Sequence, residues 1–343
     1  MNRLPAVALF LALGACIADH GLAQEGPENP ARPSAGSAER GDLSRDNIEK
    51  APLSPVTEKD GMSPSIVRIQ VLLDRMHFSP GVIDGRHGEN LQKAVAAFRT
   101  ARSLGGSGDF DAAFAEALAP AAETPVLTDY KITDEDTAYR FTPDLPTDYG
   151  KLAALKNLNF QTMTEMLAER FHMDERLLLA LNPKTDFLQS GSRIVVANVE
   201  RSRLQDKVDH IEVDKQKGEL RAFDRHGALL VAYPATIGSQ DVPSPSGEHK
   251  VKGVAWKPRY TYDPVKNFKQ GSNSKRLSIP SGPNNPVGSV FIALSKPTYG
   301  IHGTPEPSKI DKTVSHGCVR LTNWDAEELG HLVRGGTKVR FVE

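Results

Sequence analysis

Apolar positions along this chain change their period partway through. From Ser63 onward they recur at helical spacing, first as Ile66, Ile69, Leu72 and Leu73, then as Leu91, Ala94, Val95 and Phe98. A short third run spans Ala112 to Leu118. Ser63-Pro64 offers an N-cap followed by proline at the first helical position, and Ser79-Pro80-Gly81 with Asp84-Gly85 punctuates the loop after the first helix. These signals predict a small three-helix domain over 63–119. Helical spacing returns in Met163, Met166, Leu167 and Phe171, then in Leu177, Leu178 and Leu181. A turn at Asn182-Pro183 and a strand from Arg193 to Val196 follow. Beyond Val208 the runs are short and strand-like: His210 to Asp214, Leu220 to Phe223, Leu229 to Ala235 and Val290 to Leu294. One more helix is predicted after Thr322, with Ala326, Leu329, Leu332 and Val333 on one face and Gly335 closing it, before a last strand through Val339 and Phe341. The fold class is therefore multidomain α+β with a β-rich C-terminal domain over 208–342.

Three segments lack such a pattern. Met1-Asn2-Arg3 precedes an apolar run from Leu4 to Ala15, which has the length of a signal-peptide core and is short for a bilayer span. Two cleavage readings remain open within 1–23. Leu13-Gly14-Ala15-Cys16 would leave a lipidated Cys16, and Gly21-Leu22-Ala23 would serve an ordinary signal peptidase. Residues 24–62, rich in Pro, Gly, Ser, Glu and Arg, are expected to form a disordered linker. Residues 120–147, with Pro120, Pro125, Pro143 and Pro146, are expected to form a second linker.

Charge narrows the partners. With 42 basic against 43 acidic side chains, the net charge of −1 leaves no footprint for nucleic acid, although a local basic groove is compatible with that average. Only two cysteines occur, Cys16 and Cys318. On either cleavage reading Cys318 is left as a lone thiol in an exported chain, an oxidisable group that needs a reason.

Its surroundings supply one. Tyr299-Gly300-Ile301-His302-Gly303-Thr304 is followed closely by Ser315-His316-Gly317-Cys318-Val319-Arg320. A thiol attacks as thiolate, and an imidazole that takes its proton and later returns it is worth on the order of 10²–10⁴ in rate. Both His302 and His316 are candidates for that role. Gly317 frees the backbone between His316 and Cys318, and the amides of Gly317 and Cys318 can face a developing oxyanion. Arg320 suits a substrate carboxylate. The two histidines and Cys318 are also plausible zinc ligands, but no Cys-x-x-Cys accompanies them, so neither a metal nor a cofactor is expected.

This run closely resembles the signature of the L,D-transpeptidase (YkuD-type) catalytic domain, and Pro245-Ser246-Gly247, Trp256-Lys257-Pro258, Asn285-Pro286-Val287-Gly288, Asn323 and Asp325 fit with it. The helices of 63–119 resemble a peptidoglycan-binding module through Ile69 to Leu73, Gly81 to Gly85 and Ala94 to Phe98. Residues 148–198 resemble a LysM module of strand-helix-helix-strand order, with its first strand poorly matched in Lys151 to Asn157. The resemblance implies Cys318 as the nucleophile towards a cell-wall stem peptide and His302 as general base, oriented by a backbone carbonyl such as that of Gly303. It gives His316 a pocket-shaping role and the Gly317 and Cys318 amides the oxyanion hole. Arg320, Ser315, Tyr299 and Trp256 are expected to hold or line the substrate. The acceptor would be a second stem peptide, giving a 3→3 cross-link, or an amine of an outer-membrane protein or lipoprotein. The expected site of action is the periplasm, with anchoring through Cys16 if it is lipidated. Hydrolysis by the same centre, as a carboxypeptidase or amidase, and a non-catalytic wall anchor are the alternatives.

Overall fold

A computed structural model describes residues 42–54, 61–105, 110–238, 244–313, 315 and 317–343. The signal segment 1–23, both readings of Cys16, most of the first expected linker, and His316 lie outside the described residues.

The N-terminal half is mainly helical. It opens with α1 (Arg45–Lys50), α2 (Pro64–Arg75), α3 (Glu89–Ala101) and α4 (Ala112–Leu118). Next come β1 (Leu127–Lys131), α5 (Asp134–Ala138), α6 (Tyr149–Ala153), α7 (Met163–Arg170), α8 (Glu175–Leu181) and β2 (Arg193–Ala197). Short helices of this kind start where a side chain replaces a missing backbone partner. Thr162 caps α7 through the amide of Glu165, and Asp174 caps α8 through that of Arg176.

Two expectations need correction here. The first linker contains a folded piece, because Ile48 on α1 is fully buried and Glu49 accepts hydrogen bonds from the amides of Val126 and Leu127. The second linker contains β1, which pairs antiparallel with β2 from Leu127↔Ala197 to Lys131↔Arg193. The first strand of the βααβ unit is thus β1, about twenty residues upstream of Lys151 to Asn157. Prolines flank it, but Val126, Leu127 and Ile132 are buried, and that burial outweighs the loop-like composition. Residues 132–162 form an insertion between this strand and α7.

The two expected modules also share one core, running from Ile48 through α2, α3 and α4 to Val196 and Ala197. Arg75 of α2 fastens them: its buried guanidinium donates to the carbonyls of Ala121, Thr124, Pro125 and Asn198. The loop after α2 is stitched to the α7–α8 turn by Ile83 N–H to His172 O and Asp174 N–H to Ile83 O.

The C-terminal half holds β3 (His210–Asp214), β4 (Glu219–Phe223), β5 (Leu229–Pro234), β6 (Thr236–Ile237) and β7 (Gly247–Trp256). After β8 (Tyr260–Tyr262) and β9 (Leu277–Ile279) come β10 (Val290–Leu294), β11 (Gly300–His302) and β12 (Val319–Arg320). The chain ends with α9 (Asn323–Leu332) and β13 (Lys338–Val342). Nine strands form one sheet in the order β5-β4-β3-β13-β7-β10-β11-β12-β6. Its two edge strands, β5 and β6, are separated in sequence by Ala235 alone. The sheet must therefore curl until its edges nearly meet, a barrel-like closure around a core that includes Ile211, Ile292, Ile301, Val319 and Leu329.

The two halves meet on α9. His77 Nδ1 lies 2.7 Å from Glu328 Oε1, Ser79 Oγ donates to Asp325 Oδ2 at 2.9 Å, and Tyr233 donates to Glu328 Oε2 at 2.8 Å. Arg201 reaches both Glu328 and the Asp74 carbonyl, and the His172 ring stacks on Trp324. A third small core joins α6 to the β8–β9 hairpin through Leu152, Leu158, Tyr262 and Ile279.

Candidate active site

The site begins as a row of paired residues across four strands. Ala255 on β7 pairs with Phe291 on β10, Phe291 pairs with His302 on β11, and His302 pairs with Arg320 on β12. Side chains of residues in register share one face of a sheet, so these four point the same way. Cys318 lies two residues before Arg320 and so falls on that face, level with Gly300. A side chain at Gly300 would collide with Phe291, the added carbon lying 2.4 Å from the ring. Glycine there keeps the floor beside Cys318 open. The opposite face carries Ile292, Ile301 and Val319 into the core.

The loop before β12 is braced from within. Gly317 has φ +96°, a conformation that a residue with Cβ rarely adopts. Ser244 Oγ donates to Gly317 O at 2.8 Å, and Ser315 Oγ donates to Cys318 O at 2.6 Å. The Ser315 amide donates to Gly238 O. The structure therefore corrects one expected role: Ser315 is buried and spends its hydroxyl on the turn, outside the cavity that Cys318 lines.

His302 is buried, with Nδ1 2.7 Å from Gly303 O. That bond places the ring proton on Nδ1 and leaves Nε2 as the acceptor. Phe291 lies nearly parallel to the imidazole, with centroids 5.8 Å apart. Burial, with the Arg320 charge adding to it, pushes the His302 pKa down to about 3, against the pull of Gly303 O. Burial also pushes the Cys318 thiol up, while the Gly300 backbone and Arg320 pull it back. Both shifts favour the uncharged forms, imidazole and thiol. The thiol sulfur lies 3.8 Å from Thr298 O.

Cys318, His302, Arg320, Phe291 and Tyr299 line one cavity of about 460 Å³, a size suited to a peptide segment. Its roof comes from the β8–β9 hairpin, with Arg259, Tyr260, Lys266, Phe268 and Arg276, and from Tyr149 at the start of α6. Tyr149 packs edge-on against Tyr260, Tyr262 and Phe268. Asn273 donates to Asp148 Oδ2, and Gln270 bonds the Tyr149 amide and Thr147 O, so the roof is clamped to the insertion 132–162. Trp256 is a second correction. It lies off the cavity, 46% exposed, with its ring against His331 and Gly330 of α9. The sequence alone does not single out Phe291, Tyr260 or Tyr149. Alternation along β10 and β8 could have suggested the first two. Tyr149 is brought in only by the fold.

The YkuD family, an L,D-transpeptidase catalytic domain, matches residues 208–341. The YkuD protein of Bacillus subtilis (strain 168) is 49% identical over 177 residues, covering 50% of this chain and 89% of that protein. Its Bacillus licheniformis namesake is 30% identical over 178 residues, covering 51% and 90%. Among solved structures, L,D-transpeptidase 3 from Mycobacterium tuberculosis is 16% identical with a TM-score of 0.33, covering 47% of this chain and 78% of that one.

Proposed function

This chain belongs to the YkuD L,D-transpeptidase family, and on that footing we propose that it transfers a peptidoglycan stem peptide through a thioester on Cys318. The observation that carries the proposal is the shared face: Cys318, His302 and Arg320 line one cavity, with His302 Nε2 left as an acceptor.

Cys318 Sγ attacks the carbonyl carbon between the third stem residue and the terminal D-alanine, while the thiol proton passes to His302 Nε2. This proton transfer accompanies the attack. The amides of Gly317 and Cys318 hold the oxyanion. When the C–N bond breaks, His302 returns its proton to the leaving amine of D-alanine. An acceptor amine then loses a proton to His302, attacks the thioester, and releases Cys318 as a thiol once the proton is passed back. A stem-peptide amine as acceptor gives a 3→3 cross-link, and an amine of an outer-membrane protein anchors that protein to the wall.

The N-terminal half fits a wall-docking role, either through the three-helix part or through the LysM-like βααβ unit. Two residues follow 341, so the 50% of the chain that matches the Bacillus subtilis protein must begin well upstream of 208. The proposal extends to a periplasmic location, which the wall substrate and the apolar run from Leu4 to Ala15 support, with lipidation of Cys16 as the anchored form.

The test is a purified reaction with a tetrapeptide stem as donor and a free diamino acid as acceptor. The expected products are D-alanine and the tripeptide joined to the acceptor. D-alanine with free tripeptide alone would make the protein a carboxypeptidase, and no release of D-alanine by folded, reduced protein would refute the proposal.

A further inference from the structure

Charge is distributed unevenly in this nearly neutral chain. Residues 250–276 contain eight lysines and arginines and a single acid, Asp263. The stretch covers most of β7 and the β8–β9 hairpin, which roofs the cavity. Three of its cations, Arg259, Lys266 and Arg276, line the cavity together with Arg320 from the floor, and Asp263 is the only acid among the described lining residues. Among the described residues, none of the three forms an ion pair with a carboxylate. Arg259 donates to Ser278 Oγ and O, along the hairpin.

Such an arrangement has a cost. Like charges on one short hairpin repel, and among the described residues no carboxylate is ion-paired with these three. Cations are ordinarily spread among acids on a surface. Here they are gathered at the mouth of a cavity whose floor holds the nucleophile, and Tyr149 with the Asp148–Asn273 and Gln270 clamps keeps the hairpin over that floor. Guanidinium and ammonium groups in this position complement carboxylates of a bound peptide through charge-assisted hydrogen bonds.

We propose that the β8–β9 roof is a carboxylate-recognising subsite that selects donor stem peptides with free side-chain carboxylates over the same stems with those carboxylates amidated. This rests on the donor being a stem peptide, as proposed above. Floor and roof then divide the work: Arg320 acts beside the scissile bond, and the roof cations read the acidity of the rest of the stem.

The experiment compares two synthetic tetrapeptide donors that differ only in amidation of their side-chain carboxylates. Each is assayed for kcat and KM with wild type and with the Arg259→Gln/Lys266→Gln/Arg276→Gln variant. Wild type should favour the free-acid donor by on the order of tenfold or more in kcat/KM, mostly through KM, and added salt should shrink that ratio. The triple variant should bring the ratio close to one, and Arg259→Lys/Arg276→Lys should restore part of it. Because the three side chains are exposed, circular dichroism of the variant should match wild type. Equal use of both donors by wild type, or an unchanged ratio in the folded triple variant, would overturn the subsite while leaving the transferase reading intact. If wild type used neither donor, the transferase reading itself would fall, and the subsite with it.

Discussion

The floor and the roof of the cavity are built by opposite means. The floor is a single cross-strand row, Ala255, Phe291, His302 and Arg320, with Cys318 level with Gly300 beside it. Its side chains are placed by the pleat, so the geometry is as rigid as the sheet. The roof is assembled from a hairpin, a short helix and an insertion more than a hundred residues upstream, held by aromatic edges and amide clamps. On the proposed function, the contrast teaches that reactivity depends on strand register, whereas choice of substrate depends on docking between distant parts of the chain. Changes to the floor should act on kcat, and changes to the roof on KM.

Cys318→Ala should have the largest effect, lowering transfer on the order of 10⁴-fold or more while leaving the fold intact by circular dichroism. His302→Asn should cost about 10²–10⁴ in kcat, with KM nearly unchanged, because it removes the proton carrier and spares the cavity wall. A large rise in KM with kcat preserved would show that His302 binds substrate and does not carry the proton.

The seam that supports both surfaces is the next place to press. Glu328 is largely buried against His77, Arg201 and Tyr233. Glu328→Ala leaves those groups without their acceptor and should destabilise the protein by about 3–5 kcal/mol in chemical denaturation. A loss below about 1 kcal/mol would show that the two halves do not depend on this contact.

Tyr149→Ala tests the roof alone. It should raise the donor KM roughly tenfold and change kcat by less than about threefold, as expected for lost uniform binding. A fall in kcat that matched His302→Asn would erase the distinction between floor and roof.

The smallest effect is one of pH. Burial raises Asp325 and Glu169 to about 8 in the folded protein. Ionisation near pH 4 in the unfolded chain means that the native state holds extra protons between about 4 and 8. Their contribution to stability is therefore complete below pH 4 and declines as pH rises to about 8. His302, lowered to about 3, acts oppositely: its contribution is present above pH 6.5 and is lost as pH falls towards 3. Between pH 6.5 and 8 the carboxylates dominate, so the melting temperature should fall across that interval. Asp325→Asn, which keeps an acceptor for Ser79, should flatten the decline. An unchanged slope in that variant would remove Asp325 from the account.

Much of the floor was legible in the sequence, because the chemistry sits in two short runs and strand alternation sets the facing. At two positions residue type is a poor guide to location. Ser315 has a hydroxyl suited to substrate but turns it to the Cys318 carbonyl, and Trp256 has a large ring but lays it on His331. The roof was hardly legible. The cations of 250–276 were in plain view, but an overall charge of −1 conceals a local excess. Tyr149 has no local signal, since its role depends on the docking of α6 against β8 and β9. The same limit explains the N-terminal half: Pro125 suggested a linker, yet β1 is held there by β2, whose sequence lies more than sixty residues on.

The most direct test of the central claim is intact-protein mass spectrometry after incubation with a carbapenem, followed by peptide mapping. A single covalent adduct on Cys318 in wild type, its absence in Cys318→Ala and its slow formation in His302→Asn are the results expected of a thiol that His302 deprotonates as it attacks. No adduct on folded, reduced wild-type protein, or an equal rate in His302→Asn, would contradict it.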